Sequence, residues 1–475
     1  MMKLLRSARS WLKGIFDNIR NEKLKQNFLQ ALPFWIASVI TGLLAVLYAK
    51  LFALAESGTA YIVHHHSWWL FIIMPVCFVF AWWVVMKYAI YARGSGIPQV
   101  MAAIEIAKPA HVGKVKKLLS LRIIVVKMIS SLVMIFGGGV IGREGPTIQI
   151  AGSVFHKVNQ WLPAWWPKIS KRNMIMTGAA AGLAAAFNTP LGGIVFAVEE
   201  LTKLHISYFK TALFTAVIIA GLTAQGLLGP YLYLGYPDVN AVSGFIFGGV
   251  ICVAIVAGLM GSYMSKLMLA VMAWKAKFTS VGKQVLYIVG CALVIAALAV
   301  FLDERVLGSG KELMAHSLFT QDKSMAWYVP FMRAGGSILS FTTGAAGGVF
   351  APSLSAGASV GAVMAGWFHV TSAEANLLIL SGMVAFLTGV TRTPFTSAIL
   401  VLEMTDRHNV IFHLMLAGMV ASLISILVDK HSFYDRLKHQ YIHELNGPEE
   451  EPDVPAGNGA EKTRNGDAAL TNEKD

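Results

Sequence analysis

Three glycine–proline motifs are the residues best suited to chemistry in this chain: Gly94-Ser95-Gly96-Ile97-Pro98, Gly142-Arg143-Glu144-Gly145-Pro146 and Gly347-Gly348-Val349-Phe350-Ala351-Pro352. Each precedes a helix-compatible run, and proline suits the first turn of a helix. Glycine lets the backbone approach a ligand closely. The unpaired amides of a helix N-terminus carry partial positive charge and hold anions. One such motif reads as glycine-assisted helix packing. Three of them in an apolar chain read as an anion site built without a full positive charge. Amide dipoles and hydroxyls hold an anion weakly enough to release it, whereas a central lysine could bind it too tightly.

Glu144 is the most informative single residue. A carboxylate in an apolar stretch at a helix N-terminus is costly unless it has a role. Ionised, it can occupy the same dipole-lined site as an anion, and protonated it would leave, so one side chain could be both gate and proton carrier. A plain dipole partner or an ion pair with Arg143 is the bland alternative. Glu199 and Glu200 end a span, 178–198, that holds no other charge. Adjacent helical residues point about 100° apart, so one can face a pathway while the other faces a packing partner or caps an interfacial end. Lys127 lies in an apolar run before Glu144, either snorkelling or tuning the field on the anion path. Arg392 and Glu403 read as structural. His64-His65-His66 reads as a loop, because three successive histidines cannot all face one metal on a regular helix. Cys77, Cys252 and Cys291 sit apart in apolar runs and match no metal spacing.

The elements that must position these residues are membrane spans. Hydrophobic residues make up 56% of the 475 and charged residues 14%, with a mean hydropathy of +0.60. This composition excludes a disordered chain, a coiled coil and a disulfide scaffold, and it argues against a soluble enzyme. Apolar spans begin at 31–54 and 68–92 and continue to 411–428, several broken by glycine or proline. Broken helices are tolerated only where freed backbone faces protein or a watery cavity. The net charge of +13 concentrates in residues 1–30 and 105–122. The positive-inside rule places both in the cytoplasm and leaves no need for a nucleic-acid partner. Apolar residues at near-helical spacing in 1–30 suggest an amphipathic helix on the inner membrane surface. Residues 31–232 and 233–440 form two membrane repeats, and 441–475, rich in acidic residues, Pro, Gly and Asn, read as a disordered tail.

The chain resembles itself at an offset of 204. Thr189-Pro190 matches Thr393-Pro394, Glu199 matches Glu403 and Gly178 matches Gly382. With Pro146 paired to Pro352, the second and third glycine motifs also correspond. Two repeats broken in corresponding places mark a transporter with its site at the repeat interface. Whether the repeats are parallel or inverted stays open at this level.

With these motifs together, residues 30–440 resemble the CLC family of chloride channels and chloride/proton antiporters. The resemblance implies an all-α polytopic membrane protein built from two inverted repeats of tilted and broken helices, and a homodimer with one anion pathway in each subunit. It implies that Ser95 gives chloride a hydroxyl, that Val349 and Phe350 give it backbone amides, and that Tyr434 is the second hydroxyl ligand. Amides of Arg143, Gly145 and Ala351 would line an outer site, with Glu144 as the gating glutamate and Glu200 as the internal proton glutamate. An acid at that position favours a chloride/proton antiporter, with a passive voltage- or pH-gated chloride channel of the same fold as the alternative. The expected setting is a bacterial inner membrane, with both termini cytoplasmic, and the function needs neither cofactor nor metal. An enzyme reading lacks a nucleophile–base pair in the spans.

Overall fold

The computed structural model describes residues 22–107, 112–201, 210–229, 232–240, 243–321 and 323–446. The amphipathic helix expected over 1–30 falls mostly outside them, as does the tail from 447 onward. Helices dominate the described residues, and no strand occurs among them beyond two isolated bridges.

The first half contains α1 (Glu22–His66), α2 (Leu70–Tyr88), α3 (Ile97–Glu105), α4 (Val112–Leu118), α5 (Leu121–Phe136), α6 (Glu144–Trp161), α7 (Lys171–Phe187), α8 (Pro190–Phe196) and α9 (Lys210–Leu228). The second half contains α10 (Ile246–Lys275), α11 (Val281–Phe301), α12 (Lys311–Phe319), α13 (Val329–Thr342), α14 (Phe350–Phe368), α15 (Ser372–Thr391), α16 (Pro394–Thr405) and α17 (Ile411–Val428). The chain then closes with α18 (Phe433–Asn446). Seven apolar helical segments among the described residues are long enough to cross a bilayer.

The halves pack alike. α6 lies on α7 as α14 lies on α15, and α1 lies on α9 as α10 lies on α17. Local geometry repeats too. α7 ends at Asn188 with φ 58° and α15 at Arg392 with φ 63°, both left-handed. The threonines that follow, Thr189 and Thr393, have φ −127° and −121°. Each proline then opens a short helix at its first position, where its missing N–H is no loss. The repeat read from Thr-Pro and Glu spacing is therefore a repeat of structure.

Burial separates inner from outer helices. Every residue of α15 from Glu374 to Thr391 is buried, and α6 and α14 are buried over most of their length. A helix enclosed on all sides needs small residues to let neighbours approach. Gly357 and Gly382 supply this between α14 and α15: a Cβ on Gly357 would overlap the Gly382 carbonyl and come 2.8 Å from Phe386 Cβ. The outer helices instead turn large apolar side chains outward, such as Phe412 and Leu427 of α17, as lipid contact requires.

Two sequence readings change. His64, His65 and His66 are the last turn of α1 rather than a loop. His65 stacks on Tyr61 and its Nδ1 lies 3.0 Å from the Tyr61 carbonyl, and histidines suit the partial negative charge of a helix C-terminus. The polar C-terminal stretch also stays ordered further than composition implied, because α18 runs to Asn446. Its residues Tyr441, Ile442 and Leu445 are buried on the same face as Phe433, Tyr434 and Leu437, an amphipathic spacing hidden inside a charged average.

Gly357→Ala should lower the thermal unfolding midpoint of the detergent-solubilised protein, a loss of about 1–3 kcal/mol from overpacking. Gly290→Ala, where an added Cβ meets nothing within 4 Å, should leave the midpoint unchanged; equal midpoints for both variants would contradict the packing assigned to α14 and α15.

Candidate functional site

The three glycine–proline motifs meet at the boundary between the halves. Gly142 and Gly348 exchange two backbone hydrogen bonds of 2.8 Å. The Gly94 N–H donates to the Ala345 carbonyl at 2.9 Å, and the Gly347 N–H returns to the Gly94 carbonyl at 3.1 Å. Serines from each half lace the other: Ser130 Oγ accepts from Ala346 N–H at 3.0 Å, and Ser340 Oγ accepts from Val140 N–H at 2.9 Å. Glycine is required at this crossing. A Cβ on Gly145 would overlap the Ser95 hydroxyl, and one on Gly348 would come 3.1 Å from the Gly145 nitrogen. Gly94 and Gly96 hold φ of 62° and 106°, which side-chain-bearing residues rarely adopt.

These crossing segments deliver the N-termini of α3, α6 and α14 to one place, and none of the three is capped by its own N-cap side chain. Several helices elsewhere are capped by a side chain, although α10, α11 and α17 are not. Ser120 accepts from Ile123 N–H on α5, Ser170 accepts from Asn173 N–H on α7, and Thr371 with Glu374 forms a reciprocal capping box on α15. The capless trio thus leaves first-turn amides for a ligand.

Around these ends lie buried polar groups. Ser95 is 1% exposed and Tyr434 fully buried, and neither hydroxyl has a hydrogen-bond partner. The Tyr434 hydroxyl lies close to that of Ser95. Val349 is the N-cap of α14 and Phe350 its first residue, and the Phe350 ring stacks on Tyr434 at 6.2 Å. Glu144 opens α6 and is 1% exposed. Its carboxylate lies against its own amide and that of Ala351, in the space left by the missing side chain of Gly142, and its Oε2 has no hydrogen-bond partner. Arg143, the half-buried N-cap, and Gly145 flank it. A buried, unsatisfied donor costs about 1–3 kcal/mol, so two buried hydroxyls beside these helix starts make surroundings suited to an anion.

Tyr434 is fixed from below by α18. Ser432 Oγ caps this helix by accepting from Asp435 N–H at 3.0 Å. Lys438 pairs with Glu105 of α3 at 2.9 Å, and Gln99 donates to the Tyr441 hydroxyl at 3.1 Å.

The two acids expected side by side separate cleanly. Glu199 accepts from the Phe395 N–H at 3.2 Å and the Thr396 N–H at 2.7 Å, capping α16. Glu403 does the same for α8, accepting from Leu191 N–H at 3.0 Å and Gly192 N–H at 2.7 Å. Each half therefore caps the other's proline helix, which is the structural role read for Glu403. Glu200 is turned away from that duty. It sits in a five-residue π turn, Ala197–Leu201, is 8% exposed, and lies within electrostatic range of Tyr434. The wider π turn explains how neighbours in sequence reach different surroundings.

Lys127 does not snorkel. It is fully buried, and its ammonium donates to the carbonyls of Ala92 at 2.9 Å and Gly94 at 2.7 Å, gripping the loop that carries Ser95. Arg333, 206 positions on, is its structural counterpart and was not read from the sequence. Also fully buried, it donates to the carbonyls of Val306 at 2.8 Å and Leu307 at 2.9 Å, and to Ser355 Oγ. The loop it holds is Gly308-Ser309-Gly310, with left-handed glycines at φ 67° and 85°, which matches Gly94-Ser95-Gly96. That repeated tripeptide was the available signal. Gln149 was also missed: it donates to the Tyr91 and Leu118 carbonyls at 3.0 Å each, behind the same loop.

Lys127→Met keeps the side-chain length and removes the donor. Each orphaned carbonyl should cost about 1–3 kcal/mol, read as a lower unfolding midpoint; an unchanged midpoint would mean that the loop does not depend on this grip.

Residues 77–426 match the family described as Voltage gated chloride channel. The chain is 27% identical over 427 residues to the H(+)/Cl(-) exchange transporter ClcA of Cronobacter sakazakii, covering 85% of this chain and 87% of that protein. It is also 27% identical over 450 residues to the protein of the same name from Salmonella schwarzengrund, covering 89% and 91%. Among solved structures, a slow cyanobacterial Cl−/H+ antiporter superposes with a TM-score of 0.78 at 23% identity, over 88% of this chain and 99% of that one. A CLC-type fluoride/proton antiporter superposes with 0.72 at 21% identity, over 87% and 98%. The fold is therefore that of the CLC transporters, the protein is a multi-pass membrane transporter rather than an enzyme, and the chain belongs to the voltage gated chloride channel family.

Proposed function

We propose that the protein is a secondary-active antiporter that exchanges chloride for protons, with Glu144 as its gate. One observation carries this reading: the unpartnered Ser95 and Tyr434 hydroxyls face three capless helix N-termini, and the only carboxylate at those ends is Glu144. A dehydrated anion needs several donors at once and no strong cation, or it does not leave. Ser95, Tyr434 and the amides of Val349 and Phe350 supply the central donors, and the amides of Arg143, Gly145 and Ala351 supply an outer set. Lys127 adds positive charge behind the loop while its protons are spent on carbonyls, so it attracts the anion without contacting it.

Ionised Glu144 competes with chloride for the same amides, and protonation releases it. Proton and anion thereby alternate in one place, which couples their movement. A proton bound inward needs an acid off the anion path. Glu200 is that acid in our reading, because it is buried and lies within electrostatic range of Tyr434. Both relatives named above are exchange transporters by name, in keeping with the antiporter reading over a passive channel. We place the N-terminus and the 105–122 segment in the cytoplasm from their basic residues, and the C-terminus on the same side. Exposed Leu191, Phe395 and Leu423 on α8, α16 and α17 form an apolar face suited to a second copy, giving a homodimer with a pathway in each subunit.

Reconstituted liposomes test the exchange directly, since an outward chloride gradient should drive protons uphill. Glu144→Gln should keep chloride flux, lose most of its pH dependence and reduce proton flux by about 100-fold or more, the scale of a positioned acid–base group. Uphill proton pumping by this variant would remove Glu144 from the gate.

Glu200→Gln should keep chloride flux and stop proton flux. Glu199→Gln should keep coupling but weaken the α16 cap, lowering stability by about 0.5–2 kcal/mol. Normal pumping by Glu200→Gln would move the internal acid elsewhere, and no proton movement in the unaltered protein would favour a channel.

A further inference from the structure

A cavity of about 580 Å³ opens between α4, the N-terminus of α5 and the last turns of α6, away from the anion site. Four basic side chains line it, Lys116, Lys117, Arg122 and Lys157, and its described lining holds no acid. Four like charges around one cavity repel each other unless an anion with several oxygens sits among them. Ser120 to Ile123, the start of α5, also border it. We propose that this cavity binds the phosphate headgroup of an acidic phospholipid in the leaflet on that face.

The surroundings favour a lipid over a free phosphate. Trp83 and Tyr88 are exposed nearby on α2, and the Lys87 ammonium lies 4.7 Å and 5.7 Å from their ring centres. Trp161 is exposed, with Lys157 over its ring at 5.5 Å. Aromatic rings paired with lysines mark the headgroup level of a bilayer. From the cavity rim, Leu121, Val125 and Ile129 form an exposed stripe along α5 at four-residue spacing. That stripe gives an acyl chain a path into the hydrocarbon while its phosphate stays among the basic groups, the arrangement by which basic pockets between membrane helices hold lipid headgroups. The inner wall includes Tyr91 and Leu119. Gln149 bonds the carbonyls of Tyr91 and Leu118, so the headgroup would rest directly behind the loop that carries Ser95.

Native mass spectrometry of the full chain in detergent tests this, with phosphatidylglycerol and phosphatidylcholine of the same acyl chains. The protein should retain phosphatidylglycerol preferentially, and millimolar inorganic phosphate should not displace it. Lys117→Gln with Arg122→Gln should reduce that preference roughly fivefold for each basic group removed. Lys277→Gln with Lys283→Gln removes two exposed lysines near the α10–α11 turn and should leave the preference intact. Both variants should elute as the parent does in size exclusion. Equal retention of the two lipids, an equal loss in the Lys277/Lys283 variant, or full preference in the Lys117/Arg122 variant would each overturn the proposal. Displacement by inorganic phosphate would overturn it too, by assigning the cavity to a soluble anion.

Discussion

The rest of the molecule depends on a backbone crossing. Gly142 and Gly348 hydrogen bond to each other in both directions, and Gly94 is held between Ala345 and Gly347. Two chain segments that approach this closely cannot carry side chains on their facing sides, which is why glycine recurs there. Because the crossing consumes the amides just before the helices, it leaves those of the first turns pointing inward together. Helix α6 and helix α14 start within a few residues of it, and α3 starts three residues after Gly94. The proposed anion site follows from the way the halves are joined.

The charges around this crossing are arranged by sign and by distance. Lys127 and Arg333 lie fully buried, and burying a cation without partners would cost several kcal/mol. Both are instead surrounded by carbonyls of the loops they hold. Their donors are thereby satisfied. In the proposed site the ligand meets only hydroxyls and amides. Strong groups hold the architecture and weak groups face the cargo, a division that allows a site to be both stable and readily emptied.

Reciprocity between the halves recurs at each scale. Glu199 caps α16 and Glu403 caps α8, so neither half completes its own proline helix. Glu200, the next residue, lies buried in a π turn instead. The same separation of roles applies at the membrane surface. The basic residues of 112–122 satisfy the topology rule as a group, yet the fold gathers three of them with Lys157 of α6 into one cavity, where they become a candidate lipid site close to the Ser95 loop.

Hydropathy alone identified a polytopic membrane protein, because an apolar span long enough to cross a bilayer has few other fates. The glycine–proline motifs and the 204-residue offset showed that the chain repeats and where helices begin, since glycine, proline and carboxylate at helix starts are local requirements. What lies across the boundary between halves was out of reach. Nothing local in Glu199 or Glu403 says which helix it caps, and Lys127 reads equally as snorkelling or buried until the carbonyls of Ala92 and Gly94 are placed around it. Arg333 went unnoticed because its value lies in a loop brought to it from 306–307. The buried face of α18 was masked by the charges on its other face, although Tyr434 depends on it. Sequence determined the helices, their breaks and the donor types, because these are set within a few residues. Tertiary structure decided which donors are left without partners, because that depends on long-range neighbours.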